Sequence, residues 1–187
     1  MKRILGLLLA SMTVFLITGM VYGWSDSLTL TCTPTGNRGV IMDSTTISFG
    51  TLDVNVTTMS ISGVTVTSTG TLGNMEYTIA GTNAGTWQLE TDGTVTPSGQ
   101  NKVVLQALFQ TTNAQPADAT FGTDDTIDTN AQQVGDGASI NFEGTGDMDT
   151  MALLTTRYLF FRFQTPPTTS VDTLQTFTVT VAAEVAN

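Results

Sequence analysis

The chain of 187 residues contains no histidine. A Ser-His-Asp or Cys-His nucleophilic site is therefore excluded, because each needs an imidazole to take up and return a proton. A zinc centre built on His and Cys falls with it. Cysteine is nearly absent as well. Cys32 stands alone, so no intrachain disulfide forms and stability must come from apolar burial and strand pairing. Six basic residues face sixteen acids, for a net charge of −10. That balance argues against nucleic acid and anionic membrane surfaces as partners. It also helps keep a strand-rich chain from aggregating edge to edge. Helical periodicity is missing after the N-terminal apolar run. The glycine-rich pieces lie between strand patterns with no helix to follow, so no phosphate loop or dinucleotide fingerprint is present.

What is present begins with a leader. Met1-Lys2-Arg3 is followed by an apolar run from Ile4 to Ile17, the layout of a secretory signal peptide. Val21 and Gly23 then occupy the −3 and −1 positions of a cleavage after Gly23. The run is shorter than the roughly 20 apolar residues of a spanning helix. Cleavage is expected, leaving no stable membrane span after processing. Cys32 lies too far from the run to be a lipoprotein cysteine. The expected location is extracellular or at the cell surface, with the periplasm as the alternative. Two of the basic residues leave with residues 1–23, so the remainder is still more acidic.

Residues 24–187 suit one domain, a length that buries about two-thirds of its unfolded surface. Threonine and valine are abundant, and such β-branched residues fit a pleated sheet. Leu28, Leu30 and Cys32 share one face of a strand-like stretch, broken by Pro34-Thr35-Gly36. Residues 24–36 are thus an extended arm or a first strand. Alternation continues through Ile47, Phe49, Leu52, Val54 and Val56. Gly63 marks a bulge before Val64 and Val66. Met75, Tyr77 and Ile79 form another strand, and Trp87 and Leu89 a further one. Asp92-Gly93 is a hairpin signal. Val103, Leu105, Ala107 and Phe109 make a long strand, with Val104 and Leu108 on its other side. Residues 111–150 hold half of the sixteen acids and few apolar residues. They read as an acidic, loop-rich excursion with one or two short strands inside it. Leu159, Phe161 and Phe163 then lie on one face of a strand and Tyr158, Phe160 and Arg162 on the other. Phe177 to Val185 alternates to the end. Short strands, turn signals and no crossover helices predict an all-β, antiparallel sandwich of about seven to ten strands.

Ile47-Ser48-Phe49-Gly50-Thr51-Leu52, followed by Val64-Thr65-Val66-Thr67-Ser68-Thr69-Gly70, resembles the opening strands of abnormal-spindle/Hydin-type immunoglobulin-like domains. Ser68 stands where that family has Asn, and Asn55 near where it has Gly. The resemblance implies an immunoglobulin-like β-sandwich and carries over no activity. The pattern from Leu159 to Val181 is also similar to that of uncharacterised bacterial surface proteins.

Candidate sites are few. Asp124, Asp125 and Asp128, or Asp136, Asp147 and Asp149, are candidate calcium ligands, since clustered Asp with loop carbonyls supplies the six to eight oxygens calcium takes. The competing reading is a charged loop that keeps the domain soluble. No other cofactor is expected. Paired carboxylates also serve glycosidases, but these acids sit in a polar loop without an aromatic platform. No catalytic residue is assigned, and an enzyme is not expected. Tyr158 and Phe160 are large side chains on the second face of a strand, so either the excursion covers them or a subunit contact does. Leu28, Leu30 and Cys32 are the candidate contacts of the arm. Cys32 is either a small buried hydrophobe or an intermolecular crosslink.

The expected function is that of a non-catalytic exported structural protein, a self-associating surface or fibre subunit using β-strand addition. Its partner is then a second copy or another surface protein. The alternative is an adhesion module that binds carbohydrate or protein through loops at one end of the sandwich.

Overall fold

Strands form where two-residue alternation is sustained by β-branched and aromatic side chains. The computed structural model describes residues 37–71, 73–91, 93–135, 141–146, 148 and 150–185. The leader, Trp24, Leu28, Leu30, Cys32, Asp92, Asp136, Asp147 and Asp149 lie outside the described residues. Among the described residues nine strands are seen: β1 Arg38–Met42, β2 Thr57–Met59, β3 Val64–Gly70, β4 Met75–Gly81, β5 Gln88–Leu89, β6 Lys102–Gln110, β7 Gln132–Val134, β8 Thr156–Gln164 and β9 Val179–Val185. The only helical pieces among the described residues are two short 3-10 turns, Asp118–Thr120 and Thr123–Asp125.

The strands make two sheets. One runs β1-β3-β8-β6-β5, with β2 also paired to β8; the other runs β7-β4-β9. Both contribute side chains to one core, including Val66 from β3, Tyr77 and Ile79 from β4, Phe109 from β6, Leu159 from β8 and Val181 from β9. Phe163 lies among three other rings, 5.4 Å from Phe49, 6.2 Å from Trp87 and 5.8 Å from Phe177. β6 is buried along nearly its whole length, as a strand apolar on both faces requires.

Three local expectations are corrected. Residues 43–56 form no strand. Ile47, Phe49 and Leu52 still pack against the core, so their alternation reflects burial without a ladder. Gly50 and Asn55 sit at φ 72° and 59°, a left-handed backbone that interrupts an extended run. The final strand begins at Val179 rather than Phe177. The sheet is not wholly antiparallel either, because β5 and β6 pair in parallel, Gln88 opposite Lys102. A parallel pair needs a crossover in place of a tight turn, so the Asp92-Gly93 signal joins no hairpin between them.

The bulge at Gly63 does form. Met59 pairs with Arg162 and Val64 with Leu159, so Ser60 to Gly63 oppose only Phe160 and Phe161. The Ser60 N–H donates to the Phe161 carbonyl at 2.9 Å, and its hydroxyl accepts the Phe161 N–H at 3.0 Å. A Cβ on Gly63 would stand 2.9 Å from both the Phe160 ring and the Tyr158 Cβ, so only glycine passes there unstrained.

Candidate functional site

Two regions hold the sequence-predicted residues: the acidic excursion and the sheet edges. In the excursion, Asp124 and Asp125 fall in the 3-10 turn Thr123–Asp125. Asp125 is 3% exposed. Its carboxylate accepts the backbone N–H of Gly122 at 2.6 Å and of Phe142 at 2.9 Å. Burial pushes this carboxyl up to about 7, with the Asp124 charge acting the same way and the two N–H groups acting against it. Asp128 is also buried. Its Oδ1 accepts the Asn130 N–H at 2.6 Å and its Oδ2 lies 3.3 Å from Asn130 Nδ2. Both carboxylates therefore turn inward onto their own backbone. Among the described residues no three acids, cysteines or histidines group as a metal cage.

The excursion covers part of the outer face of the larger sheet. Phe121 packs on Leu108 and Phe160, with Met59 and Tyr158 beside them. Phe160 is fully buried by these intrachain contacts, while Tyr158 is half-buried. Next to this apolar patch lies a polar clamp. Gln106, fully buried, donates from Nε2 to the Gly122 carbonyl and accepts from Arg162 Nη1 at 2.7 Å. Arg162 Nε reaches Asp118 at 2.6 Å. The clamp was not foreseen. Its signal was parity: Gln106 shares a face with Val104 and Leu108, and Arg162 shares one with Phe160.

The excursion also closes an edge. β6 bonds β8 on one side. On the other side it meets β5, then Ile127, whose N–H donates to the Leu105 carbonyl at 2.8 Å. Further along, the Phe109 N–H donates to the Phe142 carbonyl and its carbonyl accepts the Gly144 N–H. At the other flank the excursion reaches in by side chains: Asn113 Oδ1 accepts the Gly63 N–H at 2.9 Å and Gln115 Nε2 donates to the Ser60 carbonyl at 2.9 Å. Among the described residues β1 has its ladder partner in β3, β9 in β4 and β2 in β8.

A cleft of about 490 Å³ opens beside β2, between residues 43–49 and 58–64. Its walls mix hydroxyl side chains with Ile47, Phe49, Met59 and Ile61. Asp43 at one end accepts the Thr65 N–H at 2.8 Å; hydrogen bonding from the Thr65 side chain, aided by backbone N–H groups and opposed by burial, holds its carboxyl below the usual range. This cleft was missed because the alternation in residues 47–56 reads as one more strand, which would have filled it.

Two other features stay inside the fold. Trp87 is half-buried and gives its Nε1–H to Thr169 at 2.8 Å. The Tyr77 hydroxyl is buried with no hydrogen-bond partner among the described residues. Burial pushes its pKa up, while the Ser68 hydroxyl and the Arg157 charge act against the rise. Among the described residues no helix is long and apolar enough to cross a membrane. Comparison of the chain with family models, curated proteins and solved structures returned no match.

Proposed function

We propose that the protein is an exported, non-catalytic structural subunit that self-associates at the cell surface by β-strand addition. On this reading the two sheets form an immunoglobulin-like β-sandwich, and residues 1–23 are a cleaved leader. One observation supports the reading: among the described residues β1, β2 and β9 each have a ladder partner on one side, and their edges carry few guarding charges. Exposed edges are normally blunted by lysine, proline or a covering segment. β2 holds no charge and no proline, β9 holds only Glu184, and β1 only Arg38 at its end. Main-chain groups on such edges pair with an added strand, and alternate side chains set its register. The alternate Leu28, Leu30 and Cys32 suit the donor. A carbohydrate-binding module has less support, because Trp87 is engaged with Phe163 and Thr169.

Sedimentation of the secreted protein over a range of concentrations tests the reading. Multimers that grow with concentration are expected, and deletion of residues 24–33 should leave a folded monomer. A full-length protein that stays monomeric at high concentration would overturn it.

A further inference from the structure

We propose that Asn55 is a modification site, the acceptor of an N-linked glycan added as the chain is exported. Only export is taken from the proposed function; self-association is not needed. Asn55-Val56-Thr57 is an Asn-x-Thr triplet whose middle residue is not proline, the pattern of an N-glycosylation acceptor. No other asparagine of the chain has serine or threonine two places on. Asp53 adds a carboxylate two residues before the acceptor, a charge that a basic side chain of a transferase can pair with. Such triplets arise by chance in a threonine-rich chain, so the placement of this one decides the matter.

The fold puts it on a braced surface turn. Val54 and Asn55 form the turn that leads into β2. Asn55 holds a left-handed φ of 59°, which asparagine tolerates better than most residues with a side chain. Asp53, Asn55 and Thr57 are all exposed. Among the described residues neither the Asn55 carboxamide nor the Thr57 hydroxyl is tied by a hydrogen bond. The backbone, by contrast, is anchored. The buried Thr165 hydroxyl accepts the Val56 N–H and donates to the Asp53 carbonyl, each at 2.8 Å. The Asn55 N–H donates to the Pro166 carbonyl at 2.9 Å. The brace turns the backbone inward and leaves the acceptor side chain outside, where a bulky sugar meets solvent.

The order of events also suits the chemistry. The Thr165 brace lies 109 residues beyond Val56. A chain exported from its N-terminus presents residues 53–57 before that brace has crossed. The segment is then free to enter a transferase, and folding afterwards carries the modified side chain to the surface. The donor is a glycan held on a lipid diphosphate. A bond forms between Asn55 Nδ2 and the anomeric carbon of the first sugar. The bond from that carbon to the diphosphate oxygen breaks, and the lipid diphosphate leaves with the electron pair. The proton lost from Nδ2 passes to a carboxylate of the transferase. The Thr57 hydroxyl is the grip that positions the amide, so it is a recognition group and takes no sugar.

Mass spectrometry of the full-length gene product, exported by the cells that naturally make it, tests this. After chymotryptic digestion, the peptide containing Asn55 should exceed its sequence mass by whole sugar residues, with fragmentation placing them on Asn55. Asn55→Asp, which keeps the turn, should abolish the added mass. Thr57→Val, which keeps a β-branched residue in β2, should abolish it too, whereas Thr57→Ser should retain it. Asp53→Asn should lower occupancy severalfold, and full occupancy there would overturn the part given to Asp53. Circular dichroism checks that each variant is folded. An unmodified Asn55 on a chain that begins at Trp24 would overturn the inference and leave export standing. An unmodified Asn55 on a chain that still begins at Met1 would overturn both. Sugar found on Thr57, Thr58 or Ser60, with Asn55 bare, would overturn the inference as well.

Discussion

The six-stranded sheet treats its two flanks differently. Beyond β6, the edge is closed in pieces by β5, by Ile127 and by residues 142–144, each bonding a β6 backbone group. Beyond β2, the chain that would have closed the edge turns away after Asp43 and leaves a cleft. The closing pieces come mostly from residues 111–150, the most acidic part of the sequence. A polar excursion with little core of its own is thus tethered by side-chain and main-chain bonds, and it serves as an edge cover. At the β2 flank, among the described residues, the excursion contributes only side-chain bonds, from Asn113 to Gly63 and from Gln115 to Ser60.

The largest effect comes from the rung common to both flanks. Phe163 pairs with Thr58 on the open side and Leu105 on the covered side, and three rings surround its own. Phe163→Ala should lower the unfolding free energy by about 3–5 kcal/mol, the usual cost of removing a buried ring. Urea denaturation followed by fluorescence and by circular dichroism should give one coincident transition at lower denaturant. Two separated transitions would show that the flanks unfold independently.

A smaller effect isolates the open flank. Ser60 is buried, and its hydroxyl takes the Phe161 N–H where the bulge removes a normal ladder partner. Ser60→Ala strands that donor, at a cost of about 1–3 kcal/mol. Hydrogen exchange should quicken at Phe161 and leave Phe109, under the covered flank, close to its wild-type rate. Equal acceleration at both amides would dissolve the contrast between the two sides.

Much of this architecture was legible in the residues. Strict alternation named β3, β4, β6, β8 and most of β9. Glycine between Met59 and Val64 named the bulge, because no other residue passes under Phe160. The irregular parts were not legible, and for a physical reason. Ile47, Phe49 and Leu52 bury against the core from an unpaired segment, and alternation records burial, not hydrogen bonding. The parallel partner of β6 was hidden for a related reason, since two residues of β5 carry no register signal. The acids of the excursion announced polarity, but only the fold shows that Asp125 and Asp128 spend their oxygens on nearby backbone. Leu28, Leu30 and Cys32 lie outside the described residues and stay a reading of the sequence.

The last test addresses the covered flank through a slope with pH. Asp125 ties Gly122 to Phe142, and through them the 3-10 turn to the segment that caps Phe109. Burial lifts its folded pKa to about 7 from an ordinary 3.8. In the unfolded chain the proton leaves near pH 4; in the folded chain it leaves near 7. The stabilising contribution of the neutral form is therefore complete below about pH 4 and is lost as the pH rises to about 7. Asp125→Asn cannot titrate. Across that window the wild-type protein should lose stability relative to the variant, by at most about 1.4 kcal/mol per pH unit, the equivalent of one proton. Above pH 7 the two curves should run parallel. Denaturation midpoints taken from pH 4 to pH 8 check this, and parallel curves throughout would mean that Asp125 keeps its charge while buried. In that case the two N–H donors outweigh burial, and the edge cover would hold equally well in acid and at neutrality.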